Sequence, residues 1–171
     1  TANIKIEVAP KPFAVINAPV TTLCEGETAT LTASGGFSAS TYSWTPATGL
    51  NTTTSAQVIC NGAGLASLGT NPYTYTVWIQ EGACKDSQTV KINAYPLPIA
   101  DYIMSNKMGC IPFTVVFGEN ATGETQYLWN FGDGSPAQTT ASGTTNYTYA
   151  ATGTYNVCLQ KVSANCTTQI C

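Results

Sequence analysis

The chain of 171 residues contains no histidine and no arginine, and only 9% of its residues are charged. Histidine is the commonest general base and the usual partner of a nucleophilic serine, so its absence excludes a hydrolase of the Ser-His-Asp type. Six scattered lysines and nine acidic residues give a net charge of −3. Because phosphate backbones are bound by clustered basic residues, we expect no nucleic-acid partner. Clustered acids and a nucleotide-binding loop are also missing, and we predict no catalytic residues and no enzyme.

Long hydrophobic runs are missing as well. No apolar stretch approaches the roughly 20 residues that a membrane-spanning helix needs, and no membrane span is predicted. What the chain does contain is seven cysteines, among many threonines and glycines. Cysteines in such numbers are typical of disulfides formed in an oxidising compartment. The sequence therefore predicts an extracellular protein.

Alternation of apolar and polar residues with a period of two is the main pattern along the chain. It predicts strands in four clear segments: 28–33, 73–79, 89–92 and 155–159. Clusters of glycine, proline and asparagine separate these segments at short intervals. Many short strands with turn signals between them indicate an all-β protein built from β-sandwiches.

The segment 129–134 (WNFGDG) combines a strand with a tight turn. Trp129 and Phe131 are two residues apart and therefore point to one face, while Asp133-Gly134 is a turn dipeptide. With the later segments 147–149 and 153–157, this run resembles the signature of PKD domains, which are immunoglobulin-like sandwiches of extracellular proteins. Asn130 and Tyr147 depart from the family pattern, where Asp and His are more common.

The first half of the chain resembles the immunoglobulin-like repeats of large surface proteins from Bacteroidota. The resemblance rests on the segments 24–31 (CEGETATL), 42–50 (YSWTPATGL), 73–77 (YTYTV) and 82–84 (GAC). It implies tandem immunoglobulin-like β-sandwiches, with an Ig-like sandwich followed by a PKD-like one. It also implies a cell-surface adhesin or gliding-motility protein exported by the type IX secretion system.

A repeated connector divides the chain. Residues 4–12 and 90–98 each form an alternating segment that ends in Pro-x-Pro, a stiff, extended sequence suited to a spacer. We predict an Ig-like sandwich at 13–96 and a PKD-like sandwich at 97–171, whose final strand is expected to be cut short. Residues 1–12 are then the last strand of a preceding domain, or a donor strand that completes a neighbouring subunit.

Strand geometry predicts three disulfides. Cys24 lies just before a strand and Cys84 just after a turn, which would place both at one end of the first sandwich and favours their pairing. The same relation predicts Cys110–Cys166 in the second sandwich. If Ala164-Asn165 is a hairpin loop, counting back along both strands places Cys158 opposite Cys171, which predicts a third bridge on the solvent face.

Cys60 is left without a partner by this scheme. One interpretation is a buried free thiol in an irregular segment. The alternative is a bridge to another molecule or to another part of the protein.

Few other side chains are candidates for a site. Glu25 and Glu27, and Glu119 and Glu124, are interpreted as solvated loop acids; a calcium site at a sandwich end is the functional alternative. Otherwise no cofactor is predicted. Asp133 is assigned to its own turn rather than to catalysis.

Trp44 and Trp129 are predicted core residues. Trp78 is out of phase with the apolar residues of its strand and should face the other side of the sheet. Packing against a linker or a neighbouring domain is the simpler interpretation. The alternative is a surface contact that stacks on a sugar ring.

Together with the predicted disulfides and the Pro-x-Pro connectors, the resemblance implies a stalk or filament segment of an exported cell-surface adhesin, used for gliding or surface attachment. Its partners would be neighbouring domains of the same chain or identical subunits, and surface polysaccharide is a further candidate. Two alternatives remain: a carbohydrate- or protein-binding accessory module of a secreted enzyme, and a subunit of a strand-exchanged extracellular filament.

Overall fold

The computed structural model of the protein describes residues 4, 6, 8, 10–69, 71–119 and 126–171. The chain divides into two compact units, Thr1–Pro96 and Leu97–Cys171. Both are built almost entirely of short strands, and the all-β fold class of tandem sandwiches is confirmed. Within the described ranges, no helix has the length and apolar character needed to span a membrane.

The described residues of the first unit form seven strands in two sheets. They are β1 (Val15–Asn17), β2 (Thr22–Cys24), β3 (Thr28–Ser34), β4 (Thr41–Thr45), β5 (Gln57–Asn61), β6 (Tyr73–Glu81) and β7 (Cys84–Tyr95). One sheet has the order β1-β3-β5 and the other β2-β7-β6-β4. A single turn of helix, α1 (Gly62–Ala66), follows β5 and is capped by the side chain of Asn61, which accepts a hydrogen bond from Ala63 N.

The core of the first unit lies between the inward faces of these two sheets. Strand β3 buries alternate residues, and β6 buries Tyr75, Val77 and Ile79 while the residues between them face outward. Trp44 of β4 is buried among them, as predicted. The alternation follows from strand geometry, since successive side chains point to opposite faces.

In the second unit, too, seven strands in two sheets are formed by the residues outside the undescribed range 120–125. They are β8 (Ile103–Met104), β9 (Phe113–Gly118), β10 (Gln126–Asn130), β11 (Gln138–Thr140), β12 (Thr145–Tyr149), β13 (Cys158–Val162) and β14 (Thr167–Ile170). The orders are β12-β9-β8 and β11-β10-β13-β14.

Aromatic rings fill the core of the second unit. Trp129 and Phe131 are fully buried, and Phe117 of the opposite sheet lies 5.5 Å and 5.3 Å from them, centroid to centroid. Strand β13 contributes Leu159 from its inward face. Aromatic pairs at such separations add to the stabilisation that comes from burial alone.

Two local predictions differ from the structure. The strand predicted at 155–159 begins only at Cys158, because its partner β10 ends at Asn130, the residue opposite Cys158. Cys60 was placed in an irregular segment, but it belongs to β5, which pairs with β3. The alternation of β5 covers only five residues, too few to stand out in the sequence.

Half of the strand predicted at residues 1–12 falls outside the described residues. Of the segment's described members, Ile4, Ile6 and Val8 have exposures of 84–86%. They are apolar side chains at the spacing of one strand face.

Candidate functional site

The turn at 129–134 is held by its own side chains. Asp133 Oδ1 accepts a hydrogen bond from Ser135 N at 3.0 Å, and Asn130 Oδ1 accepts one from Gly132 N at 3.0 Å. Gly132 and Gly134 have φ values of +77° and +86°, which favour glycine. This arrangement builds the turn and leaves Asp133 with a structural role.

Tyr147, one of the two departures from the PKD pattern, packs against the turn and hydrogen-bonds to it. Its ring stacks on Phe131 at 3.8 Å, and its hydroxyl donates to Asp133 Oδ2 at 2.6 Å. Hydrogen bonds from Ser135 and then from Tyr147 lower the pKa of Asp133 to about 2. A carboxyl group with this pKa is ionised at neutral pH and cannot act as a general acid there.

Trp78 faces solvent on the outer surface of the four-stranded sheet, as its phase predicts, and 40% of it is exposed. Ser43 and Ser87 lie directly opposite it on the two neighbouring strands. Lys85 Nζ lies 5.2 Å from the ring centroid, within the range of a cation–π contact. The opposite neighbours are small and polar, so this surface offers one aromatic ring rather than a row.

Two of the carboxylates considered as calcium ligands, those of Glu27 and Glu119, bind groups of the protein itself. Glu27 accepts a hydrogen bond from Cys24 N at 2.7 Å, and Glu119 forms an ion pair with Lys161. Glu124 lies outside the described residues. Within the described ranges, no three acidic or thiol side chains come close enough together to hold a metal ion.

The predicted Cys24–Cys84 bridge is wrong. Strand β2 runs parallel to β7 and places Cys24 beside Tyr95, at the end of β7, whereas Cys84 begins that strand. Eleven residues of strand separate the two positions by about 35 Å. A disulfide requires Cα atoms within about 7 Å. The two cysteines lie at opposite ends of β7, a consequence of the parallel pairing.

The predicted Cys110–Cys166 bridge is also wrong. Cys110 carries a free, exposed thiol in the loop between β8 and β9 and, with Cys171, lines one cleft. Cys166 lies at the other end of β14, about 16 Å from Cys171 along the strand. There its N–H donates to Ser163 Oγ at 3.0 Å.

Cys158 and Cys171 are joined by a disulfide with an S–S distance of 2.10 Å. The hairpin register that motivated this pair is confirmed, since Val162 lies opposite Thr167 and Leu159 opposite Ile170. Cys60 is a free thiol with no exposed surface. Burial raises its pKa, and its sulfur lies 3.6 Å from the Tyr75 hydroxyl oxygen. This environment matches a buried structural thiol.

A cleft of 890 Å³ opens between the two sheets of the second unit. Its floor is formed by side chains of the aromatic core and β9, and its rim by the loops 106–111 and 151–156. The lining residues that carry its apolar character include Tyr102, Met104, Phe113, Val115, Tyr155 and Val157.

One edge of β9 is open beside this cleft. Strand β8 pairs only with Phe117 and Gly118, and Ser105 N adds a hydrogen bond to Val116 O at 2.9 Å. Among the described strands, none pairs with that edge at 113–115, although β12 pairs with the other edge. An unpaired edge next to an apolar cleft is a template for an added strand.

Sequence reasoning missed a buried ion pair in the same unit. Lys161 of β13 has no exposed surface and contacts Glu119, whose side chain is 2% exposed. A signal was present, because Lys161 follows Leu159 by two residues and so lies on the apolar face of its strand. A charge at such a position marks a buried interaction.

A family model of known proteins matches the second unit. Residues 96–169 match the family model of the PKD domain. The matched range contains β8 to β13 and all but the last residue of β14. The PKD resemblance of that half is confirmed.

The chain also matches solved structures at low sequence identity. Murine CEACAM1b has a TM-score of 0.45 and 10% identity, over 92% of this chain and 96% of that chain. The titin fragment I67–I69 has a TM-score of 0.46 and 11% identity, over 95% of this chain and 64% of that one. No curated protein matches the chain.

The placement of the cysteines predicts how each thiol reacts. Cys110 should be alkylated by iodoacetamide in the folded protein, because it is exposed. Cys60 should react only after denaturation, because burial excludes the reagent and raises the pKa of the thiol. Peptide mapping by mass spectrometry locates each label. An unreactive Cys110 in the folded protein would contradict this placement.

The hydrogen bonds of the ionised Asp133 carboxylate should make the stability of the fold decrease in acid. Its pKa in the fold, about 2, lies below the unfolded value of 3.8. The stabilisation from its hydrogen bonds is therefore fully present above pH 3.8 and is lost as the pH falls towards 2. As the pH falls from 3.8 to about 2, the melting temperature of the wild type, measured by calorimetry, should fall further than that of Asp133→Asn. Asp101→Asn, at an exposed position of the same unit, is the control and should follow the wild type.

Proposed function

We propose that the chain is a structural segment of an exported bacterial cell-surface protein, a stalk or filament of an adhesin. A PKD domain together with a disulfide is characteristic of extracellular structural and binding modules. The resemblance of the first half to repeats from Bacteroidota supports the narrower proposal of a gliding or attachment protein exported by type IX secretion. The role is mechanical, and no chemical step is assigned to it.

The observation that carries this proposal is the parallel pairing of β2 with β7. These strands lie near the beginning and the end of the first unit and share the register Thr22–Asn93 to Cys24–Tyr95. Their hydrogen bonds include Asn93 N to Thr21 O at 2.8 Å and Glu25 N to Tyr95 O at 2.9 Å. A pull on the two ends of the unit loads parallel strands in shear, so these bonds resist together rather than one after another.

The turn after β2 allows a single substitution to remove one of these hydrogen bonds without changing the turn. Glu27 N donates to Cys24 O, and Gly26 has a φ of +89°, which together define a type II turn with Glu25 at its second position. Proline is favoured there and has no N–H. Glu25→Pro therefore keeps the turn and deletes the hydrogen bond to Tyr95.

In single-molecule force spectroscopy, Glu25→Pro should lower the force at which the first unit unfolds. Its equilibrium stability should change by only about 1 kcal/mol, the net contribution of one hydrogen bond. Thr48→Pro is the matched control: it occupies the same position of a second turn, in which Leu50 N donates to Ala47 O and Gly49 has a φ of +76°. An unfolding force unchanged in Glu25→Pro, or equally lowered in Thr48→Pro, would contradict the mechanical role.

The cleft favours a second candidate function, a filament built by strand addition between copies of the chain. The occupant would be the N-terminal segment of a second copy, whose Ile4, Ile6 and Val8 are exposed at strand spacing. The open edge of β9 would supply backbone hydrogen bonds, and the apolar cleft would receive alternate side chains.

Assembly tests this second candidate. If copies exchange strands, light scattering and electron microscopy should show concentration-dependent oligomers that Ile6→Asp abolishes. Val20→Asp, at another exposed apolar position, should leave them intact. A chain that stays monomeric at high concentration would exclude strand exchange and leave the single-chain stalk.

A further inference from the structure

Lys161 and Glu119 form a charged pair in the interior of the second unit. The Lys161 side chain has no exposed surface and that of Glu119 is 2% exposed. Besides Glu119, Lys161 Nζ donates to the backbone carbonyl of Ile99 at 2.7 Å. Two bonds therefore hold the nitrogen in place, and one of them directs it at a carboxyl group.

The surroundings keep this pair in contact. A Cβ atom at Gly143 would lie 2.6 Å from both Cγ and Oε1 of Glu119, so only glycine leaves room for the carboxylate. Thr168 of β14 lies directly opposite Lys161 of β13. Its hydroxyl oxygen is buried and has no hydrogen-bond partner within the described part of the chain. A spare donor thus lies on the strand next to the pair.

The energetics favour removing both charges. Burying two ions carries a desolvation penalty that their attraction repays only in part. Attack by the nitrogen requires its neutral form, which transfer of a proton from the ammonium to the carboxylate in contact with it would supply, together with a neutral carboxylic acid. Groups held in contact react with effective concentrations far above those in solution, and exclusion of water disfavours hydrolysis of the product.

We propose that Lys161 and Glu119 condense to an intramolecular amide. The lone pair of the neutral Nζ attacks Cδ of Glu119, forming the N–C bond, and the Thr168 hydroxyl donates to the carboxyl oxygen. One carboxyl oxygen then leaves as water with two protons. One is the proton that the ammonium transferred to the carboxylate before the attack, and the other is lost by the nitrogen after the N–C bond forms. The pair loses one molecule of water in total, with no oxidant and no cofactor.

The amide ties the two sheets of the unit together. Glu119 directly follows β9 of the three-stranded sheet, and Lys161 belongs to β13 of the four-stranded sheet. The bond closes a loop across a sequence separation of 42 residues. Those residues could not extend under tension, which suits the proposed stalk, although the bond itself does not depend on that function.

The mass of the full chain, denatured and fully reduced, tests the proposal. We expect one water less than the sequence mass in the wild type and the full sequence mass in Lys161→Met. Trypsin should fail to cut after Lys161, and chymotrypsin should release a branched peptide that contains both residues. A wild type with the full mass has an ion pair only, and that result would overturn the proposal. So would a water loss that maps to Asp133-Gly134, since an aspartyl-glycine pair can cyclise.

Four further variants, two at glycines and two at Thr168, separate linkage from folding. Gly143→Ala should reduce the linked fraction by displacing the carboxyl group. Gly118→Ala should not, because its nearest contact would be an ordinary 3.6 Å. Thr168→Val should slow linkage at an unchanged melting temperature, and Thr168→Ser should restore the rate. Equal rates in Thr168→Val and the wild type would remove Thr168 from the mechanism.

A mechanical readout is independent of the mass. In force spectroscopy with the Cys158–Cys171 disulfide reduced, the linked second unit should release a contour length shorter by about 140 Å than Lys161→Met, the extended length of the protected loop. Equal contour lengths would contradict the linkage even if the unit resists force. A linked unit with low resistance would instead contradict only the proposed mechanical function.

Discussion

The burial of alternate side chains between two facing sheets is the constraint on which each unit depends. With so few charges available, tyrosine supplies much of both the packing and the polar contacts. Its rings lie in the cores, and its hydroxyls reach backbone carbonyls that strand pairing does not satisfy. Tyr75 donates to Thr48 O, Tyr102 to Val157 O and Tyr149 to Phe131 O. A buried carbonyl without a partner is costly, so these hydroxyls hold loops against the sheets as well as filling space.

Strand β9 connects most of the features that bear on function in the second unit. Its inward residues Val115 and Phe117 form part of the aromatic core, and its open edge borders the cleft. Directly beyond its end, Glu119 reaches Lys161 on the other sheet. The same strand thus relates the core, the surface that could accept another strand, and the bond that could tie the sheets together.

Local patterns were enough for much of the fold. The all-β class, the buried faces of β3 and β6, the outward direction of Trp78 and the turn around Asp133 all follow from a period of two or from turn chemistry. The hairpin register of β13 and β14 also depends on only a short loop. The range 155–157 was wrongly included in a strand because its alternation continues beyond the end of the partner strand β10. An alternating pattern describes one strand and contains no information on how far its neighbour extends.

By itself, the sequence determined which face of each strand is apolar and which residues build the turns, because these depend on neighbours a few positions away. Only the tertiary structure decided which strands lie side by side. The parallel pairing of β2 with β7 separates Cys24 from Cys84, and the run of β14 separates Cys166 from the cleft that contains Cys110. The meeting of Lys161 with Glu119 is of the same kind, since Lys161 lies on β13 of one sheet and Glu119 follows β9 of the other. Contacts between distant segments depend on how whole sheets close over a core, and no local spacing encodes that closure.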